Sequence, residues 1–596
     1  MEKTLMILAN TETLEDFEVL ASHAKSIGAT HVHISSLSPR SRWQWERDLS
    51  DPYCNWGMSH IHVFKLYVPE EMHSWLPWKE AQIHLAGLKA KYEILQKHDL
   101  KLSLGMNEPF WLPNEMFDAH PNWRGPRIDH PRRSRSLYYS PCIDDPEVLS
   151  MYRRAMSEIC KEVPVDTIIF KSNDAGAGIC WSTGLYSGRN GPSTCKNTDM
   201  KNRVLGFLNT LKDGAKDAGN DIILDFDANL GFKENERIID TLWPLAPDNV
   251  FINGFDNKGR PGKRVVNNIS ATNQTPVSPV LDIPDVMRSA MNLCDAWKTD
   301  CARIVFGIPS TRMLETLIML KRFVQNPAND YLSALSLVRE TAVELVGENH
   351  AGMLTDLWLY IARAFNDIEH LHLPYATYGT VHQRWLTRPL VAFPERLEPE
   401  ERDYYRRYQF QALTEDNAND LMDIQGLEFI RGFSGTFLAT QSLGKAAENL
   451  QKAIKKADEI LKSYNGEYEC CLRGLTVRLK AAVCVVRNAI NTAGFQEILD
   501  TVDHENPPVL QGRWPTPGDP RVVSLQNIIR AEIDNTQELI LLLRGREHEI
   551  LRLTKTKEEE DIFIIGPDIV EVLERKIQIM FHHSLEIQEL FETGNI

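Results

Sequence analysis

The sequence predicts an α/β protein: a (β/α)8 TIM barrel followed by a mainly α-helical carboxyl-terminal domain. Three observations carry this reading. Eight short β-rich runs punctuate the first half, amphipathic helical stretches separate most of them, and the strand signal stops after about residue 330 apart from a short run at Ile562 to Ile565. With 596 residues, 43% of them hydrophobic, the chain is long enough for two or three well-buried domains. The barrel is placed at 1–350 and a bundle-like helical domain at 351–596, with the boundary drawn loosely between 330 and 390.

The expected strands are Thr4 to Ala9, His31 to Leu37, Leu100 to Met106, Thr167 to Lys171, Ile222 to Phe226, Val250 to Phe255, Val277 to Ile283 and Ile304 to Ile308. Glu15 to Ile27, Lys79 to Gln96, Pro146 to Glu162, Lys201 to Ala218 and Asp285 to Lys298 carry apolar residues three or four apart, the spacing of one helix face. Asp145 before Pro146 is a good start signal, and Ser310 leads into a helix over Arg312 to Phe323. In the second half Ala446, Leu450, Ile454 and Leu461 make one apolar stripe. Leu525, Ile529, Ile533, Ile540 and Leu543 make another. Glu467 to Leu499 and Asp568 to Phe591 complete the bundle, and the Pro/Gly-rich stretch His504 to Asp519 connects its parts.

A formal net charge of -16 disfavours nucleic acid and anionic membranes, which need a basic face. No run reaches the roughly 20 apolar residues that span a bilayer, and Met1 to Asn10 has too short an apolar core for a signal peptide. The expectation is a cytoplasmic protein as written, periplasmic or secreted if a leader was removed. Ten scattered cysteines without a Cys-x-x-Cys pair imply neither zinc site nor disulfide framework. His31-Val32-His33 has the spacing of a barrel metal motif, but no later His or Lys completes a ligand set. His582 and His583, adjacent on one helix, are expected to point apart. No metal or organic cofactor is expected.

In a parallel β/α protein the loops leaving the carboxyl ends of strands build the site. That logic gathers Arg40, Arg42 and Trp43 after the second strand, and Asn107, Glu108 and Trp111 after the third. Asn173, Asp174, Trp181 and Tyr186 follow the fourth, and Asp227, Asn229 and Asp256 follow the fifth and sixth. Asp174 is the first suspect, because Ala175-Gly176-Ala177-Gly178 opens no evident helix for it to cap. Asp227 and Asp256 have even odds of being helix caps instead. Eight of the thirteen tryptophans fall within the first 181 residues, many in long loops. Acids and planar aromatics on one rim suit sugar processing: a carboxylic acid protonates the glycosidic oxygen while a second acid, or a substrate acetamido group, serves the other face. Indole faces stack on pyranose C–H surfaces, although packing explains any single Trp as readily.

The triplet Asn107-Glu108-Pro109 resembles the acid/base motif of retaining glycosidases, displaced here to the third strand. A barrel whose fourth strand ends in a polar-acidic pair, followed by a helical domain, resembles the β-N-acetylhexosaminidases, β-N-acetylglucosaminidases and α-glucuronidases. In the hexosaminidase pattern the positions matching Asn173 and Asp174 orient the acetamido group and protonate the leaving oxygen; the first is usually an acid. In the α-glucuronidase pattern the resemblance implies Asp227 or Asp256 as a base, with Arg40 or Arg42 on a uronate carboxylate. The expected function is therefore O-glycosidic hydrolysis of an oligosaccharide or glycan, with Asp174 as general acid and Glu108, Asp227 or Asp256 assisting. The rival readings are a sugar-acid lyase or epimerase and a noncatalytic glycan-binding scaffold, with the helical domain available for self-association.

Overall fold

The structure is a computed structural model. It describes residues 3–171, 200–227, 245–253, 264–266, 277–369, 382–410, 419–420, 433–502, 520–560 and 564–590, apart from positions 10, 12, 39, 42, 44–50, 52–53, 55–56, 130–133, 248, 300 and 309. The chain divides into two compact units. One holds Met1–Asn273 and Arg288–Leu337, and the other holds Gln274–Met287, Val338–Gln411 and Glu415–Ile596.

The first unit is built on parallel strands β1 (Thr4–Ala9), β2 (His31–Ile34), β3 (Lys101–Asn107), β4 (Thr167–Lys171), β5 (Ile223–Asp227), β6 (Val250–Asn253), β7 (Arg264–Val266) and β8 (Cys301–Ile308). Each pairs with the next in sequence, and β8 returns to pair with β1, so the sheet curls into a barrel-like domain. Helices α1 (Leu14–Ile27), α2 (Trp78–Lys97), α3 (Pro146–Glu162), α4 (Met200–Asp217), α5 (Val286–Lys298) and α6 (Leu314–Gln325) follow along the chain, alternating with most of the strands.

Local chemistry sets these boundaries. Thr13 caps α1 by accepting from the Asp16 N–H at 3.1 Å, and Gly28 ends it with a left-handed φ of 91°, where a side chain would be strained. Asp145 accepts from the N–H groups of Glu147 and Val148 at 2.9 and 3.2 Å, and Pro146 occupies the first helical position. Each such cap stabilises its helix by about 1 kcal/mol. Ser310 accepts from the Arg312 N–H at 3.1 Å, and α6 starts just beyond.

The seventh strand differs from expectation. Val277 to Ile283 is not a strand of the sheet; Arg264–Val266 takes that place. The apolar residues of the 277–283 stretch belong to the second unit, where Val280 bridges Leu551 and the Leu281 N–H donates to the Ile550 carbonyl at 2.8 Å. An apolar run needs a covered face, and this one finds it against residues near 551.

The second unit is helical: α7 (Tyr331–Val346, shared with the first unit), α8 (Glu348–Glu369), α9 (His382–Thr387), α10 (Pro399–Tyr405), α11 (Phe433–Leu461), α12 (Glu469–Asp500), α13 (Pro520–Leu543) and α14 (Ile569–His582). From α11 to α14 each helix packs on the next, and α8 packs on α11. The stripes place Ala446 and Leu450, and Leu525, Ile529, Ile540 and Leu543, in the core, with Ile454 and Ile533 at its margin. Among the described residues no helix is long and apolar enough to cross a membrane.

His582 and His583 do not point apart. α14 ends at His582, so the two residues do not share a continuing helix, and both imidazoles turn to Glu401.

Candidate functional site

Backbone pairing between adjacent parallel strands sets which residues share a level along the sheet. Three levels rise towards the carboxyl ends. Ser103, Thr167 and Ile223 are in register, then Gly105, Ile169, Asp225 and Phe251, then Asn107, Lys171, Asp227 and Asn253. Met6, Leu8, Ile169, Phe251 and Val305 make an apolar cluster, and the Arg303 guanidinium lies 3.9 Å from the Phe251 ring centre. His33 fills the space beside Gly105: an added Cβ there would meet its Nε2 at 2.9 Å. The ring donates to or accepts from Ser103 Oγ at 2.9 Å, and burial, then the neighbouring His31, push its pKa down to about 4.

The two histidines of the His-x-His motif therefore have separate structural partners. His31 Nε2 is 2.8 Å from Asp166, which Lys101 also reaches at 2.7 Å. Burial opposes ionisation of Asp166, yet these hydrogen bonds hold its carboxyl well below the usual range.

The last level is polar throughout its sequence positions. Its four residues end four adjacent strands, and a site is expected at such an edge. Asn107 is 7% exposed, and its side-chain Nδ2 has no hydrogen-bond partner among the described residues, although its backbone N–H donates to the Ile61 carbonyl at 2.9 Å. A buried amide left unmet by folding is costly, and native proteins keep few of them. Asn107 and Asp227, two residues singled out from the sequence, are thus at one register level with Lys171 and Asn253. These last two were missed. The available signal was position alone: Lys171 ends the apolar run Thr167 to Phe170, and Asn253 breaks the run Val250 to Ile252.

Glu108 turns elsewhere. Its side chain is 1% exposed; Oε1 accepts from the Val63 N–H, the first of a short helix at Val63–Leu66 whose cap residue His62 offers no side-chain bond, and Oε2 is bonded by the Tyr152 hydroxyl at 2.9 Å. Burial raises its pKa to about 8 against the opposing hydrogen bonds. The acid expected to assist catalysis thus anchors the loop between β2 and β3 to the sheet.

Trp43 and Trp111 are also turned inward, at 1% and 0% exposure. Phe110 stacks on Trp111 at 3.9 Å and on His62 at 4.7 Å, and Trp43 meets His62 edge-on at 4.9 Å. The buried Lys65 ammonium lies 5.1 Å from the Trp43 ring and donates to the Gly57 carbonyl at 2.7 Å. Desolvation, then the Lys65 charge, pushes the His62 pKa well below its ordinary value. These indoles were expected as sugar platforms; they instead fill the core of two long loops, because a loop of this length needs its own apolar centre. Arg40 is half-buried in the same region. Arg42, Asn173, Asp174, Trp181, Tyr186, Asn229 and Asp256 lie outside the described residues, as do the side chains of Lys171, Asp227 and Asn253.

No protein-family model and no curated protein matches the sequence. Solved structures do. A GH138 enzyme targeting pectin rhamnogalacturonan II superposes on 100% of this chain and 69% of its own, at 9% identity and a TM-score of 0.52. A pneumococcal exo-β-D-N-acetylglucosaminidase, StrH, with tandem GH20 catalytic modules, covers 55% of this chain and 85% of its own at 9% identity and a TM-score of 0.33. A variant of the GH36 α-galactosidase AgaA from Geobacillus stearothermophilus covers 54% and 41% at 12% identity and a TM-score of 0.32. The superposition over the whole chain shows that this protein shares its fold with the GH138 enzyme.

Proposed function

We propose that the protein is a glycoside hydrolase that cleaves an O-glycosidic bond in an oligosaccharide or glycan at the carboxyl ends of its parallel strands. The observation that carries this reading is the buried Asn107 Nδ2, unmet among the described residues and at one register level with Asp227, on a fold shared with a glycoside hydrolase. Asn107 donates to a sugar hydroxyl. Asp174, three residues beyond the end of β4 in the sequence, protonates the leaving oxygen, and Asp227 is the companion carboxylate. Asn173 and Lys171 orient the substrate, and Asp256 is the alternative companion acid. Glu108 is left out of the acid pair, since both its oxygens are already engaged.

For Asp174 to donate near neutral pH, its pKa must be raised by burial or a neighbouring acid. Of the finer classes, hexosaminidase-like chemistry uses an acetamido group held at position 173, and glucuronidase-like chemistry uses Asp227 to activate water. The two differ in the product anomer: retention for the first, inversion for the second. The test is a screen of aryl glycosides, including the N-acetylglucosaminide and glucuronide, followed by NMR of the released anomer. Asp174→Asn should lower turnover by about a hundredfold or more while sugar binding persists. Unchanged turnover removes Asp174 from the role, and oligosaccharide binding without hydrolysis by the unaltered protein would replace the hydrolase with a binding protein.

A further inference from the structure

Within the helical unit, three potential ligand side chains converge outside any strand edge. α10 opens with a capping box in which the Glu401 carboxylate accepts from the Glu398 N–H at 3.3 Å. The same carboxylate faces two imidazoles: His582 Nδ1 is 3.0 Å from Oε1, and His583 Nε2 is 2.7 Å from Oε2. One donor atom from each of the three residues lies within 4.8 Å of the others. Behind them, His583 Nδ1 is 2.8 Å from Glu586 Oε1, and the second oxygen of Glu586 is buried with no hydrogen-bond partner among the described residues. Glu401 and His583 are 7% and 5% exposed, whereas His582 is 60% exposed.

We propose that Glu401, His582 and His583 form a binding site for a zinc-class divalent cation, with Glu586 as a positioning residue. Two imidazole nitrogens and one carboxylate oxygen are a borderline donor set that suits zinc better than calcium or magnesium, which take oxygens. Three protein ligands leave a fourth position for water, and the exposed His582 side marks the way in. The carboxylate behind His583 is the outer partner that a metal-bound imidazole ordinarily has: it accepts a hydrogen bond from Nδ1–H and so leaves the Nε2 lone pair for the ion. Tetrahedral bonds of about 2.0 to 2.1 Å put donor atoms roughly 3.3 Å apart, so the three donors, now within 4.8 Å of one another, have to draw together around the ion. Rotation of the exposed His582 ring supplies that. The ion would tie α10 to the end of α14 across 181 residues of chain, so binding would also stabilise this unit.

The test is calorimetric titration of zinc chloride into the chelator-stripped full chain, beside the thermal midpoint with and without zinc. The 18 histidines and ten cysteines of the chain offer weak sites elsewhere, so the difference between variants is the readout. One ion per chain should bind. His582→Ala should weaken this event at least about tenfold and abolish the zinc-dependent rise in midpoint, with the zinc-free midpoint preserved because His582 is exposed. Glu586→Gln should weaken binding by about tenfold to a hundredfold by removing the outer carboxylate. A His582→Ala isotherm that matches the unaltered chain, or no binding by the unaltered chain at about 1 mM zinc, overturns the site.

Discussion

Glu532 in the helical unit and Asn107 in the barrel-like unit are both buried polar side chains, and folding treats them in opposite ways. Glu532 is fully buried and is met from several sides. Lys576 reaches Oε1, Asn488 donates to Oε1 at 2.7 Å and Asn491 donates to Oε2 at 2.8 Å, while Lys576 also donates to the Leu386 carbonyl at 2.9 Å. Burial pushes the Lys576 ammonium down and the Glu532 charge opposes it. The Asn107 Nδ2 has no acceptor among the described residues. A polar group that the fold itself satisfies belongs to structure; one left unmet at a strand edge is available to a ligand.

The largest effect should come from breaking the satisfied side of this contrast. Lys576→Met strands the Glu532 carboxylate in the core and should lower unfolding free energy by about 3 to 5 kcal/mol in urea titration, with Glu532→Leu/Lys576→Met recovering most of the loss. A loss no larger than for an exposed substitution would dissolve the contrast.

The second prediction concerns Glu108. Its folded pKa of about 8 lies above the ordinary value of 4.5, so the folded protein holds a proton that the unfolded chain has released between those values. Its contribution to stability is complete below about pH 4.5 and is lost as pH rises towards 8, with a slope of at most about 1.4 kcal/mol per pH unit. Glu108→Gln should flatten this part of the stability curve. An unaltered slope would show that the carboxyl does not titrate there.

Gly105→Ala should cost about 1 to 3 kcal/mol, because the new methyl group meets His33 Nε2 at 2.9 Å and Ser35 Cβ at 3.0 Å. Thermal denaturation checks this, and His33→Ala in the same chain should relieve it. The smallest effect sharpens the contrast by its sign. Asn107→Leu is near-isosteric and removes an unmet amide, so stability should rise by about 1 kcal/mol while sugar affinity falls by roughly tenfold to a hundredfold. Lower stability in this variant would mean that the amide is already satisfied.

The sequence shows the regular parts of this molecule well where one local signal dominates. Apolar runs bounded by turn residues give β1 and β4 with their observed ends, and Asp145-Pro146 marks the start of α3. It fails where the partner decides. Three residues, Arg264–Val266, make β7 without a conspicuous apolar run, while the more apolar stretch at 277–283 joins Leu551. The number and loop position of the tryptophans are legible, but whether Trp43 and Trp111 face a ligand or a core depends on Phe110 and His62 closing over them. His582 and His583 look divergent under helical geometry, yet α14 stops between them. Of the expected site, the placement of Asn107 and Asp227 at strand ends follows from the run boundaries. The unmet amide follows from none of them, since absence of a partner is a property of the folded surroundings.

The central claim, that the strand-final level around Asn107 and Asp227 handles a sugar, is tested most directly by the turnover of Asp227→Asn on whichever aryl glycoside the unaltered protein hydrolyses. The account predicts a fall of about a hundredfold or more in kcat with the thermal midpoint unchanged. Turnover equal to that of the unaltered protein would contradict it.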